Sequence, residues 1–314
     1  MRKLTTVVVL LATWVLLTSN AFSQEIQNQK ISLAFVGDIL LAGQAGRIMQ
    51  TQGTSYPFAK VAPILKESDL AFGNLECALT GNTITRNVPI DGKKLFIFKT
   101  PPRFGKALVD GGIDIVSLAN NHAMNGGKPG LIETMKTLKE LGIIYVGAGS
   151  NLQEARSCRI LEVKGRKIGF LAYADIGGPA ATSQPGIAVL KDTLSQVLEE
   201  VKTAKRKVDF LIVSFHWGIE GSTKPSARQK SVAQKVIDVG ADIVIGHHPH
   251  VLHPVETYKG KTIAYSLGNF VFDNPRPICC KTMILWVDWN PITGNQNIIQ
   301  MPCYIRSSQP EPVE

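Results

Sequence analysis

Six apolar runs of strand length in this chain each stop on a polar motif. Ala34-Phe35-Val36 stops on Gly37-Asp38, Leu70-Ala71-Phe72 on Gly73-Asn74-Leu75-Glu76, and Ile115-Val116-Ser117-Leu118 on Asn120-Asn121-His122. Ile212-Val213-Ser214-Phe215 stops on His216-Trp217-Gly218, Ile243-Val244-Ile245 on Gly246-His247-His248, and Ala264-Tyr265-Ser266 on Gly268-Asn269. One such ending is an ordinary turn or helix cap. Six at the same end of six strands describe strands whose carboxyl ends converge on one polar crevice, where open α/β sheets bind ligands. All six histidines fall in or just after three of these endings: His122, His216, and the group His247, His248, His250 and His253.

Between the strands lie helical patterns. The runs predict strands at Ile31–Val36, Asp69–Phe72, Ile113–Leu118, Ile143–Val146, Lys167–Tyr173, Asp209–Phe215, Asp242–Ile245, Thr262–Ser266 and Met283–Val287. Helices are expected at Pro57–Lys66, Pro102–Asp110, Gly130–Leu141, Leu190–Lys205 and Ala227–Val239. Strands joined by helices predict an α/β fold, with central, mostly parallel sheets flanked by helices. Helices become sparse afterwards, so the last strands are expected to form an antiparallel second layer. At 314 residues with 44% hydrophobic and 19% charged, the chain suits one domain over residues 24–306. Asn82–Lys94 and Gly177–Gly186 read as loops, and 307–314 as a flexible tail.

The N-terminus carries a different signal. Arg2 and Lys3 precede an apolar stretch from Leu4 to Leu17, then Ala21-Phe22-Ser23 and polar Gln24-Glu25. This is the pattern of a secretory leader over residues 1–23, cleaved after Ser23. The stretch is short for a membrane span; uncleaved, it would serve as an anchor. Export to the periplasm or cell surface is therefore expected. Without the leader the formal charge of +9 falls to about +7. That excess is dispersed and not interleaved with aromatics, which argues against nucleic acid and fits an anionic partner. Five cysteines cannot all pair within the chain, and there is no Cys-x-x-Cys metal or redox motif. Phosphate-cradling glycine loops and the Gly-x-Ser-x-Gly elbow are also missing.

The chemistry offered by the endings is mixed nitrogen and oxygen ligation. Asp38 and Glu76 supply carboxylates, His122, His216 and two of the clustered histidines supply imidazoles, and Asn120 or Asn121 an amide oxygen. Such a set suits one or two divalent ions of Mn, Fe or Zn. Two carboxylates would leave a two-metal centre net positive, favouring an anionic substrate. Such a centre activates water and holds the attacked group. Within Gly-His-His-Pro-His, Pro249 biases His248 toward extended backbone, where residues two apart share a side. His248 and His250 are then the natural pair of ligands, with His247 facing the other way.

These motifs carry a resemblance. Gly-Asp-Ile-Leu, Gly-Asn-Leu-Glu, Ser-Leu-Ala-Asn-Asn-His, Ser-Phe-His-Trp-Gly-Ile-Glu, Ile-Gly-His-His-Pro-His-Val and Tyr-Ser-Leu-Gly-Asn-Phe-Val-Phe-Asp, in this order over about Ile31 to Asp273, resemble the CapA-type poly-gamma-glutamate capsule-synthesis family. That family is similar in turn to calcineurin-like metallophosphoesterases, which implies their layered α/β sheet. The resemblance implies Asp38, Glu76, Asn121, His216, His248 and His250 as metal ligands. It also implies His122 as a general acid working beside Asp38. Asn120, Trp217, Glu220, His247 and Asn269 would support the ligands or touch substrate. Three positions depart from the pattern. Leu40 stands where the phosphoesterases place a metal-binding His, the second carboxylate is Glu76 within Gly-Asn-Leu-Glu, and Asn125 replaces an Asp. The implied function is capsule polymer biosynthesis with a metal-dependent hydrolase site. Its substrate would be an anionic polymer or a phosphoester, and its partner a membrane polymer-synthesis complex. The competing reading is a non-catalytic envelope subunit assisting polymer assembly or export.

Overall fold

The computed structural model describes residues 30–81, 96–191 and 193–313. The expected leader and the expected loop over residues 82–94 lie outside them. Among the described residues, fourteen strands make up the two larger sheets. In chain order they are β1 (Ile31–Ile39), β2 (Leu70–Leu75), β3 (Ile115–Ser117), β4 (Ile144–Val146), β5 (Arg159–Val163), β6 (Arg166–Ala174) and β7 (Phe210–His216). Then follow β8 (Ile243–His247), β9 (Val255–Tyr258), β10 (Lys261–Ala264), β11 (Asn269–Val271), β12 (Lys281–Trp289), β13 (Gln296–Arg306) and β14 (Gln309–Pro312).

The first sheet runs β14-β13-β12-β1-β2-β3-β4, with β11 paired to β1 beyond β12. Its β1, β2, β3 and β4 are parallel. The second sheet runs β9-β10-β8-β7-β6-β5, with a parallel centre of β6, β7, β8 and β10. All nine expected strands are present, and the mostly parallel, helix-flanked architecture is as read. The final strands are antiparallel but do not form a second layer. β12 pairs directly with β1 and extends the first sheet. The C-terminal segment is no loose tail either: β14 pairs with β13, and Ser308 and Gln309 are buried.

The two sheets face each other across the main core. Phe72 of β2 stacks on Phe170 of β6 at 5.7 Å between ring centroids, and Phe210 of β7 meets Trp289 of β12 at 4.9 Å. Side chains alternate along each strand. Phe210 and Ile212 of β7 enter this inner core, while Leu211, Val213 and Phe215 enter a second cluster with Val197, Val201, Val232 and Val236 of helices Leu194–Lys205 and Ala227–Asp238. The same alternation holds in β8, with Ile243 and Ile245 inward and Val244 outward.

Alternation also places the polar endings. Two steps beyond Ile212 and Ser214 the inner face carries His216; beyond Ile245 it carries His247; beyond Phe72 it carries Asn74 and then Glu76. β1 reaches the same face by an irregularity. Phe35 pairs with Phe72 and Asp38 with Asn74, three residues on one strand against two on the other. Such a bulge re-aims the residue that follows it. Asp38 therefore joins the inward row although its number alone would point it outward from Phe35.

Candidate metal centre

Glu76 stands at the middle of this polar layer. It is fully buried, and neither carboxylate oxygen makes a hydrogen bond. Three ring nitrogens surround its Oε1: His216 Nε2 at 3.7 Å, His250 Nε2 at 3.8 Å and His122 Nε2 at 3.9 Å. Those distances are too long for hydrogen bonds. Glu76, His248 and His250 each offer one ligand atom, all within 4.8 Å of one another. A buried carboxylate with no donor costs several kcal/mol unless a cation satisfies it. Orphaned oxygens ringed by imidazoles thus fit a divalent ion.

The electrostatics point the same way. Burial, and then the charge of Asp38, push the Glu76 carboxyl well above the usual carboxylate range. Burial opposes a charge on His250, yet Glu76 and Asp38 raise it to about 10. Burial likewise opposes ionisation of Asp38, but His247 and His250 hold it well below the ordinary value. The positive charge that Glu76 and Asp38 draw onto His250 stands where a divalent ion would otherwise bring it. Burial lowers His248 to about 3 and His122 to about 4, leaving both neutral and able to ligate.

Around this centre runs a chain of amides. Asn74 Nδ2 donates to Asp38 Oδ1 at 2.8 Å and faces His216 Nδ1 at 3.3 Å. His216 Nε2 faces Asn121 Oδ1 at 2.8 Å. That is a hydrogen-bond distance, and it ties the Asn121 amide to the His216 ring beside Glu76. Asn120 donates to Asn74 Oδ1 and Leu75 O, and its own Oδ1 accepts from the backbone of His122 and Ala123, fixing the turn that presents Asn121 and His122. Asn269 Oδ1 lies 2.8 Å from His250 Nδ1, so that ring turns Nε2 toward Glu76. Asp38 Oδ2 stands 3.3 Å from the same Nδ1.

The structure brings together Asp38, Glu76, Asn121, His122, His216, His248 and His250, with Asn120 and Asn269 behind them. Three readings change. His248 and His250 have φ of 96° and 58°, so Pro249 does not hold an extended segment, and a left-handed loop aims both rings inward. His247 does not face away: it ends the inward row of β8, with Nδ1 3.5 Å from Asp38 Oδ1. Trp217 is no substrate contact. It is 1% exposed, stacks on Phe215 at 4.5 Å and donates to Tyr265 O, as the outward phase of β7 requires. Glu220 is exposed, and its charge helps raise the Glu76 carboxyl. Leu40 is buried in the core, so no imidazole enters from that position. Asn74, passed over as part of a motif, is the residue sequence reasoning missed. Its place two residues after Phe72 on the inner face was the available signal. His253, bonded through Nε2 to Ser222 O, ties down a loop at 2.7 Å and stays out of the centre.

Residues 32–274 match the family model of the bacterial capsule synthesis protein PGA_cap. The chain belongs to this family. It is 36% identical over 279 residues to the capsule biosynthesis protein CapA of Bacillus anthracis, covering 85% of this chain and 66% of that protein. It is 34% identical over 247 residues to the PGA biosynthesis protein CapA of Bacillus subtilis strain 168, covering 77% and 63%. The chain thus spans about two thirds of the length of these curated relatives. A 5'-nucleotidase of Diplobatis ommata is 25% identical over 221 residues, 58% of this chain and 35% of that protein.

Proposed function

We propose that this protein is a metal-dependent hydrolase acting on a phosphoester or on an anionic polymer in the cell envelope, within capsule polymer synthesis. The observation that carries this reading is Glu76, a buried carboxylate with no hydrogen bond, ringed by three imidazole nitrogens. A bound Mn, Fe or Zn would supply Lewis acidity and a more acidic water. Glu76, His248 and His250 would hold it, with Asp38, Asn121 and His216 beside them. His122 donates through Nδ1 to Asn125, so its Nε2 is a proton acceptor. It can give a leaving group only a proton that it has first taken, as from the attacking water. The placement in polymer synthesis rests on the names of the two Bacillus relatives, and export rests on the leader pattern of residues 1–23.

One observation favours the second reading, a non-catalytic envelope subunit: Leu40 occupies a ligand position with a buried aliphatic side chain. Metal analysis of purified protein separates the two. The hydrolase reading expects stoichiometric metal, lost in His216→Ala, and turnover of a phosphoester or polymer that Asp38→Asn abolishes. Metal-free protein whose stability is unaltered by His216→Ala would refute it.

A further inference from the structure

Beside the centre, one wall is aromatic. Phe98 lies 4.3 Å from the His122 ring, and Phe272 lies 5.0 Å from the His250 ring. Phe98 and Phe272 meet edge to face at 6.0 Å and 88°, forming a corner. Phe96 continues the wall outward, 6.1 Å from Phe98, and is 64% exposed. The corner is built, not incidental. Asn125 Oδ1 accepts from Phe98 N at 2.7 Å and faces His122 Nδ1 at 2.9 Å, so one atom positions both rings.

We propose that Phe96 and Phe98, backed by Phe272, form a subsite for an uncharged ring attached to the group that reacts at the metal centre. The proposal rests on the centre assigned above. Phe272 is 6% exposed and packed in the main core, where it backs Phe98, so a ligand reaching the partly exposed His122 edge meets half-buried Phe98 and then exposed Phe96. Aromatic faces carry negative charge density and their edges positive. A chain of carboxylates is repelled by such faces, whereas the C–H edges of a sugar or aryl ring are attracted. The ligand class is therefore a ring-bearing ester, and not a bare polyanion lying along the wall.

The test measures binding of methylphosphonate, phenylphosphonate and a C-glycosyl phosphonate to manganese-loaded protein by calorimetry, with metal content determined on the same sample. At least one ring-bearing ligand binds roughly three- to tenfold more tightly than methylphosphonate, the range expected of an aromatic contact. A phenyl preference assigns an aryl group, and a glycosyl preference a sugar. Phe96→Ala and Phe98→Leu, the second keeping apolar bulk without a ring, reduce that preference. Equal affinities in the wild type, a preference surviving both substitutions, or binding of none of the three overturns the proposal. A subsite that fails in fully metal-loaded protein leaves the hydrolase reading standing. A ring preference in protein that holds no metal refutes the hydrolase reading alone.

Discussion

Asn125 Oδ1 faces His122 Nδ1 at 2.9 Å, which fixes the proton of that ring on Nδ1 and turns the lone pair of Nε2 toward Glu76. An amide, unlike a carboxylate, does this without adding negative charge, and burial keeps His122 low, at about 4. Asn125→Asp places a charge against the ring, and the His122 value is expected to rise. An NMR titration of the imidazole C–H signals reads the shift directly. Asn125→Leu strands the Phe98 N–H and the His122 Nδ1–H, at a cost of about 1–3 kcal/mol for each buried group. Urea denaturation measures that loss. A His122 value unmoved by Asp would show that Asn125 does not set its environment.

Glu76→Gln separates stability from ligation. The neutral amide removes a carboxyl that burial and the charge of Asp38 disfavour as an anion, so folding near neutral pH no longer carries the cost of that raised value. Without metal, the variant is expected to be more stable than the wild type by about 1–3 kcal/mol. With metal the order reverses. An ion at a thousand times its dissociation constant stabilises the wild type by about 4.1 kcal/mol and the variant by little. Paired melts with Mn²⁺ and with chelator test both signs.

Gly37→Ala probes how Asp38 is held. A Cβ at Gly37 would fall 2.0 Å from Gly268 O, a backbone atom that also accepts from Asp38 N at 2.9 Å. Neither strand end has a flexible side chain to yield. A loss above about 3 kcal/mol is expected, in the upper range for point substitutions. Bound metal is expected to fall with it, since Asp38 is the next residue. Thermal denaturation with metal analysis of the folded fraction tests this, and a stable, fully loaded Gly37→Ala would show that the close approach is dispensable.

Much of the site was legible because β-strand alternation is strict. Once Phe210 and Ile212 are inward, His216 must be inward and Trp217 outward, so the reading of Trp217 as a contact was avoidable. Asp38 was legible only as a strand ending, because the bulge that turns it inward is a pairing event between β1 and β2 and has no local mark. The left-handed loop at His248 and His250 was hidden for the opposite reason. Pro249 supplies a local bias toward extended backbone, and the packing of two imidazoles into the centre overrides it. The extension of the first sheet by β12, β13 and β14 was likewise a matter of which edge was open, which hydrophobic patterning does not encode.

Metal-free Glu76→Gln protein should lose stability as the pH falls from about 6.5 toward 4. Burial lowers the folded values of His122 to about 4 and His248 to about 3. In the unfolded chain both titrate near 6.5. Between those limits the unfolded chain holds protons that the folded chain refuses, so acid favours unfolding, by up to about 1.4 kcal/mol per pH unit for each group. His216, which burial also lowers, and Asp38, held below its ordinary value, act in the same sense, so the loss continues at lower pH. The variant is chosen because Glu76, whose folded value is raised, acts in the opposite sense: the stability it contributes is full below about 4.3 and is lost as the pH rises through its folded value. Wild-type protein should therefore show a shallower acid slope than Glu76→Gln over pH 4.5–6.5. Urea midpoints at pH 4.5, 5.5 and 6.5 for both proteins, in chelator, measure the two slopes. Parallel lines would mean that Glu76 is ionised in the metal-free fold, against the raised value that its burial and the charge of Asp38 impose.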